Sequence, residues 1–482
     1  MKGNAMEGKC IIESILTRIK AELDKSADFF ELDPSPETFV KIGKMLVGAA
    51  ADGVKTGVQQ YAEKNDLALD TIPLDDGRVM RWKRKVDKKF MTIGGEVTIS
   101  RNVYQADAGG ETYVPLDHAM GTVGHYALPD VREAIAYIVA HTHPREVFNI
   151  TRRIAMFKPS EKAIRNVLKK IGRWIESNED DALTLVAKDE ILMPKADVMV
   201  VGMDGVNVLL REKGKKAGRP TERPTVGDET AESKSCYKNA MVGTISFYTT
   251  KTVLKDNEEE LVHERLAGIY TARMPEQRFP TFKSKLEREL SIAENRLPSN
   301  ATKIVLMDGA KGLWGYVKNN RLFEGYEMLL DFYHATEHLS RLAEALHGKD
   351  TDSAKIWYRR YRDKIKRSPG GVVSMLRSVD YYLKKQKLSK QRKKDARREC
   401  TFFENNCHKM DYSRFMDNGW PIGSGPTESG CKTIVKQRLC RSGMRWTRPG
   451  GQNVLSLRAI VKSDRWDALW KHYISQLPAC AA

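Results

Sequence analysis

The stretch ADVMVVGMDGVNVLL, residues 196–210, and its shorter counterpart KIVLMDGAKGLW, residues 303–314, decide the fold. Each is an apolar run long enough for a buried strand, and each reaches an Asp-Gly pair. The neighbouring segments add strands at MVGTISFYTT (241–250), ERLAGIYTARMPE (264–276) and YEMLLDFYH (326–334), and a helix at PTFKSKLERELSIAENRL (280–297). Three strands and a helix before the next strand predict an α/β sheet with a meander at one edge.

The chain before the first of these strands is predicted to be mostly helical, with one β-hairpin. Apolar residues recur at helical spacing through residues 10–65. Residues 78–104 have a strand pattern, interrupted by a Gly-Gly turn at 94–95. Residues 129–178 are typical of three short helices, the third capped by Ser160. Three such helices fit a helix-turn-helix module that enters the DNA major groove, although the same packing occurs without any role in DNA binding.

The charge of the chain is distributed unevenly. Its 482 residues carry 81 basic and 63 acidic side chains, a net charge of +18. Residues 1–339 hold 50 of each sign, whereas residues 340–482 hold 31 basic and 13 acidic side chains. Residues 335–415 lack strand periodicity and are helical and basic. Such an asymmetry indicates a polyanionic partner, either nucleic acid or an anionic membrane surface.

The sequence favours nucleic acid over a membrane. No apolar run approaches the ~20 residues that span a bilayer, and the N-terminal MKGNAMEGKC lacks the apolar core of a signal peptide. The seven cysteines are dispersed without a CxxC spacing. Cys400, Cys407 and His408 lie close in sequence, but a fourth ligand at zinc-finger spacing is missing. We therefore expect reduced thiols in a cytoplasmic protein that binds DNA, associated with the nucleoid.

Two aspartates are candidates for chemistry because of where they stand. Asp204 in GMDGVN and Asp308 in LMDGAK each follow a buried apolar strand and precede a glycine. A lone buried carboxylate costs several kcal/mol unless it is paired or binds a metal. An acid at the carboxyl end of a strand can instead point into the crevice where α/β sheets place ligands. The alternative is an ordinary Asp-Gly turn at each position.

The third acidic candidate is Glu428, in GWPIGSGPTESGCKTIVKQRL (419–439). Pro426 suits the first position of a helix, so Glu428 falls in the first turn. Glu428, Lys432 and Lys436 are four residues apart and share a helix face. A carboxylate there could hold a metal while the ammonium groups meet phosphates. The alternative is that Glu428 only complements the helix dipole.

The order Asp204, Asp308, Glu428 resembles that of bacterial insertion-sequence transposases of the DDE class. The resemblance rests on DFYHATEHL (331–339) and PIGSGPTESGCK (421–432), and it is greatest to the ISKra-like group, which is related to Mutator-type elements. DFYH resembles the C/D-x-x-H signature that those enzymes carry between the second Asp and the Glu. GMRWTRPGGQNVLSLRA (443–459) is similar to their GMRW segment.

This resemblance, which covers roughly residues 80–475, implies a ribonuclease-H-like catalytic core with an all-helical insertion. A mostly helical N-terminal region with a β-hairpin would precede the core. The first strand of the core would bear Asp204, the fourth Asp308, and a helix after the insertion Glu428. The predicted segments are an N-terminal helical region (1–75), a hairpin with a helix-turn-helix-like DNA-binding region (76–190), the first part of the core (191–338), the basic helical insertion (339–415) and the C-terminal core helices (416–482).

The resemblance also implies a reaction and its partners. Asp204, Asp308 and Glu428 would be the catalytic residues and would hold two Mg²⁺ ions ~4 Å apart, or Mn²⁺, for in-line phosphoryl transfer on DNA. Water would expose a 3′-hydroxyl at the end of the element, and that hydroxyl would then attack target DNA. The partners would be the terminal inverted repeats and the target DNA. Two ends imply a homo-oligomer assembled on the DNA.

Two residues of the DFYH segment have open roles. Asp331 also ends a strand and competes with Asp308 as the second metal ligand, although Asp308 fits the family's second Asp. Comparing the Mn²⁺ affinities of the Asp308→Ala and Asp331→Ala variants would separate them. His334 either orients a metal-bound water, contacts DNA, or is a histidine at a helix start with satisfied hydrogen bonds.

Basic residues that follow Glu428 are predicted to contact DNA phosphates, because the surrounding region carries the excess charge. Arg441 and Arg445 are four residues apart and would share a helix face. Trp446 either stacks on a base unpaired at the cleavage site or packs in the core. The predicted DNA-binding residues are Lys432, Lys436, Arg438, Arg441, Arg445 and Trp446.

Two other functions fit the same residues. A structure-specific DNA nuclease on the same core would need the acids but would not bind element ends by sequence. A DNA-binding regulator would use the acids structurally and would not depend on a divalent metal.

Overall fold

The computed structural model describes residues 2–107, 109–189, 196–211, 236–255 and 258–477. The chain divides into two compact units: the first unit contains Met1–Ala182 and Arg465–Ala482, and the second unit contains Leu183–Asp464. The loop predicted at 216–233 lies outside the described residues. Within the described ranges, no helix is both long and apolar enough to cross a bilayer. The five-segment division is finer than these two units and stays a prediction.

The first unit combines helices with a four-stranded antiparallel sheet of order β1-β2-β3-β4. Its elements are α1 (Lys2–Asp24), α2 (Pro36–Lys64), β1 (Thr71–Pro73), β2 (Val79–Thr92), β3 (Gly95–Ala106), β4 (Thr112–Tyr113), α3 (Pro115–Ala119), α4 (Pro129–His141), α5 (Pro144–Ile154) and α6 (Glu161–Asp189). A Cβ on Gly94 would lie 2.7 Å from the carbonyl oxygen of Ala51, so the β2–β3 turn packs directly on α2. The predicted helices and hairpin are confirmed.

The predicted three-helix segment is formed by α4, α5 and α6. The Ser160 hydroxyl accepts a hydrogen bond from the Ala163 N–H at 3.2 Å, which caps α6 as expected. Ile164, Ile171 and Ile175 of its apolar stripe are buried. The role of this segment in reading DNA stays a prediction.

The second unit is built on a five-stranded sheet of order β7-β6-β5-β8-β9. Its strands are β5 (Val198–Leu209), β6 (Tyr237–Lys255), β7 (Glu258–Arg273), β8 (Thr302–Met307) and β9 (Glu327–Leu330). The first three strands pair antiparallel, whereas β8 runs parallel to β5 and β9 runs parallel to β8. The predicted mixed α/β sheet with a meander at one edge is therefore confirmed.

Helices cover both faces of this sheet because the side chains of β5 alternate between two cores. Met199 and Val201 join a core with α7, whereas Val198 and Val200 join the core of α9–α13. The helices are α7 (Pro280–Glu294), α8 (Lys311–Lys318), α9 (Phe332–His347), α10 (Asp352–Arg367), α11 (Gly371–Lys385), α12 (Lys390–Asn406), α13 (Tyr412–Asp417), α14 (Gly425–Gly430), α15 (Gln437–Leu439) and α16 (Arg448–Lys462), with α17 (Trp466–Ser475) in the first unit.

The helices α9–α13, called the helical block below, correspond to the basic stretch predicted to be helical. Their apolar side chains converge on one core that includes Leu339, Tyr361, Met375 and Phe403. The basic side chains of the block are mostly exposed. Residues 340–415 as a whole carry 21 basic and nine acidic side chains. The block therefore presents a cationic surface around a packed apolar interior.

Candidate active-site cleft

A cleft of about 180 Å³ lies in the second unit, at the C-terminal ends of the neighbouring strands β8 and β9. On its other side β8 neighbours β5, which also contributes to the cleft. The lining of the cleft includes five acidic side chains and one histidine: Asp204, Asp308, Asp331, His334, Glu337 and Glu428. The acids come from three distant parts of the chain. The three predicted catalytic acids and both residues of the DFYH segment are thus brought to one place.

Asp204 lies inside β5 and not at its end, which corrects the sequence-based prediction. The strand continues to Leu209 because β6 pairs with it throughout, with Asp204 opposite Val242. Only the parallel pairing with β8 stops earlier, at Val201. Asp204 therefore lies just beyond the part of β5 that β8 covers, and this places its side chain in the cleft.

The Asp204 carboxylate is held by two hydrogen bonds. The N–H of Gly205 donates to Oδ1 at 2.6 Å, and the thiol of Cys431 donates to Oδ2 at 3.4 Å. Burial, and next the charge of Asp308, raise the pKa of Asp204 in spite of these bonds and the nearby charge of Lys436. Burial and the neighbouring Asp204 likewise raise the pKa of Cys431, so the thiol keeps the proton that it donates.

Asp308 directly follows β8, as predicted. Its Oδ1 accepts the N–H of Ala310 at 3.0 Å, and its main-chain carbonyl accepts the indole N–H of Trp314 at 2.6 Å. These bonds fix the turn between β8 and α8. The side chain is only partly buried and stays open to the cleft.

Asp331 follows β9 and caps α9, and it is 1% exposed. Its Oδ1 accepts the N–H of His334 at 2.6 Å, and its Oδ2 accepts the N–H of Ser424. The N–H of Phe332 also donates to the carbonyl of Ile422 at 3.0 Å. One carboxylate oxygen therefore caps α9, and the other joins the start of α9 to the loop that precedes α14.

Glu428 lies in the first turn of α14, as the position of Pro426 predicted. Its N–H donates to the carbonyl of Ser424 at 3.0 Å, and its carboxylate lies at the exposed edge of the cleft. The preceding Thr427 is 5% exposed and shares a 2.8 Å hydrogen bond with Thr244 of β6. The helix is thereby anchored to the sheet next to the acid that it carries.

The helix that begins at Gly425 continues through a π-helical segment, Cys431–Lys436. π-Helical turns are rare and occur frequently at functional sites. Here the turn buries the Cys431 side chain against Asp204 and leaves the predicted DNA-binding residues Lys432 and Lys436 exposed. The sequence predicted that Glu428, Lys432 and Lys436 share one face of a regular α-helix. The π-helical segment interrupts that regular α-helix between Glu428 and Lys436.

His334 is half-buried and packs against the residue after Asp308. A Cβ on Gly309 would lie 3.3 Å from His334 Nε2 and 3.0 Å from the ring of Phe402. The His334 ring also lies 5.0 Å from that of His338, one turn later on α9. The imidazole thus stands at the cleft, with the helical block behind it.

The structure corrects two predictions for the arginines after Glu428. Arg438 is 1% exposed and cannot reach a phosphate from this position; burial lowers its pKa to about 10, and its guanidinium lies 5.3 Å from the ring centre of Trp446. Arg441 and Arg445 are exposed but lie in the non-helical stretch between α15 and α16, so they do not share a helix face. Phosphate contact by both side chains stays a prediction.

Trp446 is bound on several sides by the protein itself. Its indole N–H donates to the carbonyl of Leu439 at 3.0 Å. Its main chain forms a β-bridge with the end of β5. There the Trp446 N–H donates to the carbonyl of Leu209 at 3.1 Å, and the Trp446 carbonyl accepts from the N–H of Arg211 at 2.7 Å. These contacts favour the packing interpretation over stacking on a base.

The carboxylate oxygens in the cleft are the type of ligand that a hard divalent cation binds. Carboxylate oxygens are the ligands that Mg²⁺ and Mn²⁺ prefer, and the charge of Asp308 opposes ionisation of Asp204, which a cation would relieve. The carboxylates nevertheless lie farther apart than the ligands of one bound metal ion. Across the described ranges, no three His, Cys, Asp or Glu side chains are close enough together to hold one metal ion.

Three residues at the site were not predicted from the sequence: Glu337 and Tyr333, which line the cleft, and Cys431, which contacts Asp204. Tyr333 is 60% exposed. The available signal was helical spacing, because Glu337 follows His334 by three residues and so lies on the same side of α9. Cys431 was also missed, since a lone cysteine after Glu428 carries no sequence signal for a contact with Asp204.

The chain matches no protein-family model and no curated protein. Among solved structures it is similar to the Drosophila P element transposase strand transfer complex, with 12% sequence identity and a TM-score of 0.24. The similarity covers 73% of this chain and 81% of that chain. At this TM-score the similarity supports no conclusion about the fold or the function.

Proposed function

We propose that the protein is a DDE-class transposase that cuts and joins DNA in a metal-dependent reaction. One observation carries the proposal: Asp204, Asp308 and Glu428, which are far apart in sequence, line the same cleft. A structural role would not require three carboxylates from separate elements to face a common space, because like charges repel and each loses hydration there.

The order of the strands supports the ribonuclease-H-like core that the sequence resemblance implies. Asp204 lies on the first strand of the sheet and Asp308 follows the fourth, while Glu428 stands on a helix after the helical block. The finer assignment to the ISKra-like group rests on the sequence motifs DFYH and PIGSG alone.

The roles of the residues follow from their surroundings. Asp204, Asp308 and Glu428 would hold two Mg²⁺ ions, or Mn²⁺, which would stabilise the charge that develops on the phosphate during transfer. Asp331 is the weaker candidate for the second acid, because both of its oxygens accept main-chain N–H groups. The exposed Lys432 and Lys436 would contact phosphates of the strand that enters the cleft.

The proposed partners are the terminal inverted repeats of the element and the target DNA. We propose a homo-oligomer on the DNA, because two ends must be processed together, and a location in the cytoplasm with the nucleoid. The basic surface of the helical block would lie along the DNA beside the cleft.

The test is incubation of the full-length protein with a duplex that carries the DNA flanking its gene, in Mg²⁺, Mn²⁺ or EDTA. We expect metal-dependent cleavage and joined products, both reduced by about 10³-fold or more in D204N, D308N and E428Q, with DNA binding retained. Asp24→Asn, at an exposed acid of α1 in the part of the chain without net charge, is the matched control and should cleave normally. Full cleavage by D204N would contradict the proposal.

The products also separate the alternatives. Cleavage without joining, on branched substrates and without preference for the flanking DNA, would indicate a structure-specific nuclease. Binding without any metal-dependent reaction would indicate a regulator. Mn²⁺ affinity should fall in Asp308→Ala. Asp331→Ala should instead lower the melting temperature of the protein, together with any loss of Mn²⁺ affinity, because it removes the cap of α9.

A further inference from the structure

A cluster of four side chains connects the cleft to the helical block. His334 and His338 stand one turn apart on α9, and Glu399 and Phe402 stand three residues apart on α12. The His338 ring stacks on the Phe402 ring with centres 3.4 Å apart and planes 8° apart. The His334 ring meets both, at 5.0 Å from His338 and 5.8 Å from Phe402.

Glu399 is the buried base of this cluster. It is 3% exposed, and its Oε2 lies 2.7 Å from His338 Nδ1. Its Oε1 accepts from Arg398 at 2.9 Å, and Arg341 lies 3.7 Å from Oε2. A carboxylate that binds one ring nitrogen of a histidine fixes the tautomer and the orientation of the ring. Glu399 therefore holds His338 in one orientation.

The orientation of His338 is passed on through direct contacts. His338 and Phe402 are stacked, and the His334 ring packs edge-on against both of them. On its other side, His334 Nε2 approaches the main chain of Gly309, the residue after Asp308. Movement of His338 or Phe402 would therefore change the position of the only imidazole that lines the cleft among the described residues.

We propose that Glu399, His338 and Phe402 are positioning residues that hold the His334 imidazole in the cleft, so that the helical block builds part of the active site. The inference rests on the proposed function for what His334 does there, namely contact with the DNA strand held by the acids. It assigns a role to Glu399, which is separated by 91 residues from Asp308 and belongs to no motif of the sequence.

Ordinary packing between α9 and α12 is the competing explanation. It accounts for Phe402, but it does not account for a buried carboxylate, because apolar side chains join helices without the cost of burying a charge. Burial is also the largest influence on His338 and lowers its pKa, against the opposing effect of Glu399. A neutral His338 that donates Nδ1–H to Glu399 fits this environment.

The test uses the full-length protein labelled with ¹⁵N and ¹³C at its ten histidines. The imidazole signals of His334 and His338 are assigned from H334Q and H338Q. In Glu399→Gln both sets of signals should shift, because the ring of His338 loses its charged partner and His334 rests on that ring. Glu404→Gln, at an exposed acid of the same helix, is the matched control and should shift neither.

Activity on DNA gives the second measurement. Glu399→Gln should lower kcat for DNA cleavage by about tenfold or more, with KM for DNA changed less than about twofold. Phe402→Leu keeps an apolar side chain but removes the stacked ring, and it should also lower kcat. It replaces Glu399→Gln as the test if melting temperatures show that Glu399→Gln does not fold. Signals of His334 that stay in place while those of His338 move would overturn the inference. If His334 moves but the wild-type protein cleaves no DNA, the positioning role stands and the proposed function fails.

Discussion

At the residue scale, the burial that places Asp204 in the cleft also makes its ionised carboxylate unfavourable for folding. Burial and the charge of Asp308 raise its pKa, so ionisation costs free energy in the folded chain that it does not cost in the unfolded chain. The cost is absent below the ordinary pKa of 3.8 and complete above the raised folded pKa. Asp204→Asn should therefore raise the melting temperature at pH 7, by up to about 3 °C.

The pH dependence of this gain distinguishes its cause. Asn keeps one oxygen that accepts from Gly205, and its amide nitrogen replaces the oxygen that accepts from Cys431. The substitution therefore removes the charge and one weak thiol hydrogen bond. The difference in melting temperature between Asp204→Asn and the wild type should shrink as the pH falls towards 4, because the wild-type carboxyl becomes protonated. Differential scanning calorimetry at pH 4 and pH 7 measures both values. An equal difference at the two pH values would refute this electrostatic account, and Asp24→Asn should change little at either.

Individual residues were predictable where a local signal surrounds them. Asp308 and Glu428 stand beside a strand end and a helix start, and both lie where the sequence placed them. The burial of Arg438 was not predictable, because exposure of a basic side chain depends on which distant elements pack over it. The hydrogen bond from the Ser424 N–H to Asp331 was not predictable for the same reason, because Ser424 lies 93 residues later in the chain.

At the element scale, α14 fits closely onto β5 and β6, and this contact sets the position of Glu428. A Cβ on Gly202 would collide with the hydroxyl of Thr427 and lie 3.1 Å from that of Thr244. Gly202→Ala should therefore destabilise the second unit by about 1–3 kcal/mol and lower metal-dependent cleavage, since α14 must move away from the strand. Chemical denaturation measures the first effect and the cleavage assay the second.

A double-mutant cycle tests whether this collision is the cause. Thr427→Ala removes the hydroxyl and its hydrogen bond to Thr244, at a cost of about 1 kcal/mol. In the pair Gly202→Ala with Thr427→Ala the two losses should be less than additive. Gly315→Ala in α8, where a new Cβ meets nothing within 4 Å, should be neutral or slightly stabilising. Additive losses would mean that the two side chains do not compete for one space.

Elements were predictable from periodicity, whereas their ends depended on their partners. The strands around Asp204 and Asp308 follow from apolar runs of strand length. The continuation of β5 past Asp204 depends on β6, whose pairing runs as far as Leu209. The stretch that holds Arg441 and Arg445 has basic residues at helical spacing, but the main chain at Trp446 bridges to the end of β5 and the helix stops.

At the scale of the whole molecule, the net positive charge is confined to the C-terminal part of the chain. The excess of 18 positive charges lies entirely in residues 340–482, whereas residues 1–339 are neutral. The sequence alone established this asymmetry, because net charge needs no structure. The fold was needed to show which of these basic residues are exposed to solvent: Lys432, Lys436 and Arg441 are exposed, and Arg438 is buried.

The salt dependence of DNA binding should report these positions one at a time. Each phosphate that a basic side chain neutralises releases counterions, so log K falls with log salt by about 0.9 per contact. Lys432→Ala, Lys436→Ala and Arg441→Ala should each weaken binding to all sequences and reduce the slope by about one. Lys20→Ala, at an exposed residue of α1 in the neutral part of the chain, should leave the slope unchanged. Fluorescence anisotropy with a labelled duplex between 50 and 200 mM salt, roughly the range over which such contacts are resolved, measures the slopes. A slope unchanged in Lys436→Ala would count most against DNA in this cleft, because the charge of Lys436 already acts on Asp204.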